Sequence, residues 1–269
     1  MNTIDLSLYL VTDNSENQEK FLKTIEEAII GGVSVVQIRE KTADTLEFYN
    51  LALKVKEITA KYNVPLIIND RVDIALAIDS DGVHVGQSDM PCDVTRRLIG
   101  EDKILGVSAA TVEEAKKAEL DGADYIGTGA VFPTSTKDDA DSVTKKELID
   151  IVNSIDIPVV AIGGINIKNA DELKDTGISG LSVVSAIMNA DNPKKASEKL
   201  LNIFNSWYFH FLKILLRFKF KSLSEIIIIR SSKAAKVATT HKITKIKYDL
   251  DNSNMNGNKI KYAPVILFK

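Results

Sequence analysis

Residues 158–186 read PVVAIGGINIKNADELKDTGISGLSVVSA, two short apolar runs held apart by a polar stretch. The first run, Pro158–Gly163, is rich in Val and Ile and apolar on both alternating faces. Such a strand is buried on both sides, as in a parallel sheet covered by helices. The second run, Gly180–Ala186, has the same character. Gly163, which ends the first run, with Gly164 after it, and Val184 and Ser185 at the end of the second, stand where a strand hands over to its loop. Glycine lets a backbone approach a ligand closely. Amides after the last two strands of an eight-stranded barrel form a recurrent phosphate site. A tight turn would also explain the glycines, so the reading depends on what precedes them.

Working back along the chain, six more runs of the same kind appear: Leu6–Asp13, Val35–Glu40, Pro65–Asp70, Gly82–Val85, Lys103–Ser108 and Tyr125–Gly129. Between them the apolar residues take helical spacing. Leu46, Tyr49, Leu53, Ile58 and Tyr62 mark one face of a helix from about Asp44 to Tyr62. Ser15-x-x-Gln18, Asp44-x-x-Glu47, Thr111-x-x-Glu114 and Thr144-x-x-Glu147 match the helix capping pattern at strand-to-helix junctions. Eight strands alternating with helices predict an α/β fold, a closed (β/α)8 or TIM barrel with its helices outside. An open doubly wound sheet is the rival.

Composition narrows the class further. The 269 residues are 45% hydrophobic and 26% charged, which excludes a disordered chain. Cys92 is the single cysteine, so neither a disulfide framework nor a cysteine-zinc site is expected. With no basic leader and no run of 18 apolar residues, the reading is a cytoplasmic protein without a spanning helix. The net charge of −3 hides a split. Residues 205–269 hold 13 Lys and Arg against three Asp and Glu, while the other 204 residues hold 21 against 34. We therefore read residues 1–204 as one barrel domain and 205–269 as a basic, apolar-rich extension, poorly ordered. Its opening, Trp207–Lys221, mixes aromatics with Lys and Arg, a composition that suits an anionic membrane or nucleic acid. The simpler reading is an extension foreign to the barrel, with no membrane or nucleic-acid partner. Self-association into a homo-oligomer stays open.

Polar residues gather at the C-terminal strand ends, the face where barrels build active sites. Strand two ends Gln37-Ile38-Arg39-Glu40-Lys41, and alternation puts 37, 39 and 41 on one face, suited to an anion with several oxygens. Asp70 after strand three and Asp89 after strand four are two carboxylates beside that cluster. Such a pair next to a diphosphate suits Mg²⁺, which shares its ligands with phosphate and water. Each Asp also has a plainer reading, as a helix cap or a turn residue. The loop after strand six carries Thr134, Ser135, Thr136 and Lys137. Two anion sites around one mouth follow, one cationic with Mg²⁺ and one built from glycine amides and hydroxyls. With no nucleophile in the loops, the chemistry rests on a good leaving group.

Six motifs in order, QIREK at 37–41, IINDR at 67–71, HVGQSDMP at 84–91, VFPTSTK at 131–137, AIGGI at 161–165 and VVSAI at 183–187, resemble the thiamine-phosphate synthase family. The resemblance covers about residues 6–204. It implies a (β/α)8 transferase of thiamine biosynthesis that joins a pyrimidine diphosphate to a thiazole phosphate, with one Mg²⁺ per active site. By motif, Gln37, Ile38, Arg39, Glu40, Lys41, Asn69, Ser108 and Lys137 would bind the pyrimidine diphosphate, with Arg39, Lys41, Ser108 and Lys137 acting in catalysis. Asp70 and Asp89 would hold the metal. Thr134, Ser135, Thr136, Gly164, Val184 and Ser185 would bind the thiazole phosphate. Ala130 departs from the family, which usually carries Pro there, and the whole of 205–269 has no family counterpart. A non-synthase relative, a thiazole tautomerase or a regulator, is the alternative, and a phosphosugar isomerase the more distant one. Retention of Arg39, Lys41, Asn69, Asp70, Asp89 and Lys137 favours the synthase.

Overall fold

Eight parallel strands close on themselves in chain order: β1 (Leu8–Val11), β2 (Val35–Ile38), β3 (Leu66–Asn69), β4 (Gly82–Val85), β5 (Ile104–Ser108), β6 (Tyr125–Thr128), β7 (Val159–Ile162) and β8 (Gly180–Val183). The last pairs with the first, Leu10 opposite Val183, so the barrel has no free edge. This is a computed structural model, and it describes residues 4–13, 17–134 and 142–217, with side chains as far as Trp207. All eight expected runs are strands, and the closed order excludes the open sheet.

Both faces of the strands are buried, which is why their sequences run apolar without interruption. Inside the barrel lie Tyr9, Val11, Val35, Ile67, Tyr125 and Val160. Outside it, Leu8, Leu10, Val36, Ile38 and Ile68 pack on the helices, against Phe21, Ile25, Phe48 and Val55 among others.

The helices that cover the strands are α1 (Gln18–Ile30), α2 (Thr45–Tyr62), α3 (Val72–Ala77), α4 (Cys92–Ile99), α5 (Val112–Leu120), α6 (Lys145–Ser154), α7 (Ser185–Met188) and α8 (Pro193–Arg217). Three of the four expected capping boxes form, at Asp44 with Glu47, Thr111 with Glu114 and Thr144 with Glu147. The fourth is corrected. Asn17 caps α1 by accepting from the Lys20 amide at 2.9 Å, and Ser15 lies outside the described residues. A helix expected between β7 and β8 is instead a single 3₁₀ turn, Ala170–Leu173. Asn166 and Asn169 both donate to the Gly164 carbonyl at 3.0 Å, and Asn169 also accepts from the Asn166 amide at 2.8 Å. Asn side chains that bind nearby backbone hold turns that compete with a helix.

The helix α8 runs through the boundary expected at Phe204. Leu200 and Phe204 are buried against the barrel, and a Cβ added to Gly31 would stand 2.4 Å from the Lys194 carbonyl, so α1 and α8 touch closely. Trp207 meets the Phe204 ring edge-on at 5.1 Å and donates from Nε1 to Asp171 at 3.0 Å. The opening of the basic extension is thus helical to Arg217. Residues beyond 217 lie outside the described ones. Among the described residues no helix is long and apolar enough to cross a membrane.

Candidate active site

Alternation along the strands aims five polar side chains into the barrel. Gln37 Nε2 donates to Tyr9 Oη at 2.7 Å. The hydroxyls of Tyr9 and Tyr125 meet at 2.6 Å. Tyr125 Oη lies 3.0 Å from His84 Nδ1, and His84 Nε2 lies 2.9 Å from Ser108 Oγ. Burial pushes the phenols of Tyr9 and Tyr125 well above their ordinary values, so both stay neutral. Gly106 supplies the room, since a Cβ there would stand 2.2 Å from Tyr125 Oη and 2.5 Å from His84 Nδ1. Of this line, Gln37 and Ser108 were expected site residues. The other three were missed, although the period-two rule applied to β2 would have marked Tyr9, His84 and Tyr125 as inward too.

Beside this line stand the carboxylates. Asp70 follows β3 with a left-handed φ of 61°, and its amide donates to the His84 carbonyl at 2.8 Å. Its side chain meets that of Asp89 and accepts from Lys41 Nζ. Burial raises the Asp70 carboxyl above the usual range and the neighbouring Asp89 raises it further, with Lys41 offsetting only part. Asp89 Oδ2 also accepts from the Gly86 amide at 2.8 Å, so it closes its own turn while facing Asp70. Asp70 is not a cap: Arg71 occupies the N-cap of α3, without a side-chain bond there. Two facing carboxylates, one of them held above its usual value by burial and then by its partner, are a donor set that fits Mg²⁺, which needs few protein oxygens and keeps waters. Among the described residues no group of three or more His, Cys, Asp or Glu is placed to hold a metal.

The expected face of 37, 39 and 41 divides, because β2 ends at Ile38 and alternation ends with it. Gln37 points into the barrel and Lys41 reaches Asp70, whereas Arg39 lines an adjoining cleft with Asp13, Gln18, Phe21 and Glu40. The Ile38 side chain is fully buried in the layer between sheet and helices. Glu40 turns back to the loop, accepting from the amides of Thr42 and Ala43 at 2.6 and 3.0 Å. Burial works against its charge, but these donors outweigh it and hold the carboxyl below its ordinary value. Asn69 is the buried last residue of β3.

Across the mouth, the loop after β6 is tied to the loop after β7: Val131 and Phe132 donate to the carbonyls of Ile162 and Gly163 at 3.0 and 3.1 Å. Gly163 and Gly164 take φ of 100° and 65°. A Cβ on Gly164 would stand 2.5 Å from the Pro133 carbonyl, so the space expected for a ligand at that atom is filled by the neighbouring loop. Val184 and Ser185 stand at the start of the single-turn helix α7, whose Ile187 and Met188 amides donate to the Val184 carbonyl at 3.1 and 3.0 Å. Thr134 is at the edge of the described residues, and Ser135, Thr136 and Lys137 lie outside them. No thiol competes as a nucleophile: burial, first of all, pushes Cys92 up to about 11.

A family model described as thiamine monophosphate synthase matches residues 8–187. A thiamine-phosphate synthase of Methanobrevibacter smithii is 74% identical over 206 residues, covering 77% of this chain and 99% of the relative. One of Alkaliphilus oremlandii is 58% identical over 200 residues, covering 74% and 96%. Among solved structures, a thiamine phosphate pyrophosphorylase from Pyrococcus furiosus superposes with a TM-score of 0.69 at 40% identity, covering 76% of this chain and 98% of that one. These relatives are matched over nearly their whole length by about three quarters of this chain.

Proposed function

The chain belongs to the thiamine monophosphate synthase family, and on that premise we propose how the mouth of its barrel carries out the reaction. It is a transferase, and its activity is thiamine-phosphate synthesis. The substrates we assign are 4-amino-2-methyl-5-pyrimidinylmethyl diphosphate and a thiazole phosphate, taken as the carboxylated tautomer.

The bond from the pyrimidine methylene to the diphosphate oxygen breaks first, its electron pair leaving with the diphosphate. The thiazole nitrogen then gives its lone pair to the methylene cation. From a carboxylated thiazole the carboxylate leaves as CO₂, and the pair left on carbon takes up a proton. Gln37, Asn69 and Ser108 hold the pyrimidine. Arg39, Lys41 and Lys137 hold the diphosphate, and their positive charge stabilises the leaving group more as the bond breaks. The loop that Glu40 ties down positions Lys41. Thr134, Ser135, Thr136, Gly164, Val184 and Ser185 hold the thiazole phosphate. Asp70 and Asp89 would hold Mg²⁺, which when bound neutralises charge on the diphosphate. The observation that carries this reading is the meeting of Lys41, Asp70 and Asp89 at one side of the mouth. A lysine beside two carboxylates, one of them raised, suits a metal–diphosphate better than a stabilising ion pair. Incubating the chain with both substrates and Mg²⁺ should yield thiamine phosphate and diphosphate in equal amounts, and absence of thiamine phosphate would overturn the assignment.

The two anion sites make separate demands. Lys41→Ala should raise KM for the pyrimidine diphosphate and lower kcat. Gly164→Val should weaken thiazole phosphate instead, because its side chain would drive the Pro133 loop away from the β7 end. Equal impairment of one substrate by both variants would remove the two-site division.

We further infer that residues 1–204 are the catalytic unit and that the protein is cytoplasmic, the latter because its one cysteine is buried and free. A chain ending at Phe204 should fold and catalyse. One ending at Arg217 should do the same and melt slightly higher, since it keeps the Trp207 contacts. Loss of activity in the shorter chain alone would move the boundary into the extension.

A further inference from the structure

We propose that Tyr9, Tyr125 and His84 are positioning residues that couple Gln37 to Ser108, so that one end always presents a hydrogen-bond acceptor when the other presents a donor. The proposal rests on the reading of this part of the mouth as the pyrimidine site, and it concerns what sets that site's selectivity.

The coupling follows from counting protons. Each phenol has one hydrogen and, being neutral, can donate only once. Gln37 Nε2 donates to Tyr9, so the Tyr9 proton goes to Tyr125 and the Tyr125 proton goes to His84 Nδ1. A neutral His84 then carries its one proton on Nε2, which donates to Ser108 Oγ. Among the described residues no partner takes up Gln37 Oε1, and the Ser108 proton is not used by the line. The mouth therefore meets an acceptor at Gln37 and a donor at Ser108. Turning the Gln37 amide over reverses every member in sequence, and the ends exchange roles but stay complementary. An aminopyrimidine edge has this character, an amine that donates next to a ring nitrogen that accepts.

A satisfied polar core would need none of this. Much of the barrel interior is built of Val and Ile, and apolar residues would fill this layer without the cost of burying hydroxyls. Instead Gly106 leaves the room that the Tyr125 and His84 contact occupies. A line of hydroxyls and ring nitrogens paired end to end is directional, and cutting it uncouples the two ends.

The test measures calorimetric affinity for the pyrimidine diphosphate, and kcat and KM for both substrates. The variants are Tyr9→Phe, Tyr125→Phe, the two together, His84→Gln and His84→Leu, with thermal unfolding of each. Tyr125→Phe should weaken pyrimidine diphosphate about three- to tenfold, the range of one hydrogen bond, and leave KM for thiazole phosphate unchanged. Adding Tyr9→Phe should cost less than Tyr9→Phe does alone, because the line is already cut. His84→Gln, whose amide can still donate to Ser108, should keep more affinity than His84→Leu. Folded variants with additive losses, with both substrates weakened alike, or with unchanged pyrimidine affinity would overturn the coupling. A chain that binds pyrimidine diphosphate with this pattern of losses but forms no thiamine phosphate would overturn the assigned reaction and leave the coupling standing. A wild-type chain that does not bind the pyrimidine diphosphate would overturn both.

Discussion

Asp70→Ala or Asp89→Ala should lower turnover at least about tenfold, roughly 1.4 kcal/mol of transition-state stabilisation. The leaving diphosphate would meet one carboxylate and no complete metal site. The more telling variant is Asp70→Asn, because it separates function from stability. The folded Asp70 carboxyl is raised, so the folded chain binds more protons than the unfolded one between the ordinary Asp value, about 3.9, and the raised value. Stability therefore falls as pH rises through that window, and the whole penalty is present above it. The Asn variant should lose that pH dependence and, without metal, melt no lower than wild type at neutral pH, while its activity collapses. A site kept at a cost to stability behaves this way. Near-normal rates in chelator-treated enzyme without added metal would remove Mg²⁺ from the scheme. A variant that melts well below wild type at neutral pH would make the carboxylate pair structural.

Gly106→Ala should be strongly damaging for a single methyl added inside the barrel. The new Cβ would stand 2.1 Å from Tyr125 Cζ, and Tyr125 cannot retreat, being fully buried with Tyr9 on one side and His84 on another. Overpacking of this kind costs about 1–3 kcal/mol, and hydroxyls left without partners add about 1–3 kcal/mol more. For a domain of this size we expect the melting temperature to fall by roughly 5–15 °C, with pyrimidine diphosphate binding lost. Gly127→Ala is the comparison. It adds the same methyl nearby, but its closest neighbour would be His84 Cε1 at 3.1 Å, which can give by a few tenths of an ångström. Unfolding curves for the two variants decide the matter: similar melting temperatures would show that Tyr125 has room to move.

Much of the site was legible because its residues fall at strand ends, and strand ends can be read from local runs. Asp70 and Asp89 were found that way, and their mutual contact bears on both readings weighed for Asp89, since it closes a turn and faces Asp70 together. The shared face of Gln37, Arg39 and Lys41 was not legible, because alternation holds only while the chain is a strand and β2 stops at Ile38. Gly164 illustrates a different limit. Its need for φ of 65° is a local property, but the Pro133 carbonyl beside it comes from another loop.

The sequence by itself determined the eight strands, three capping boxes and the ring of polar strand ends, since each depends on spacing within a dozen residues. The tertiary structure alone decided closure, with β8 returning to β1, the line from Gln37 to Ser108 and the pairing of Lys41 with Asp70. Those contacts join residues from different strands. Their distances are set by how the whole barrel closes and how far each strand runs before it ends, and no local period carries that information.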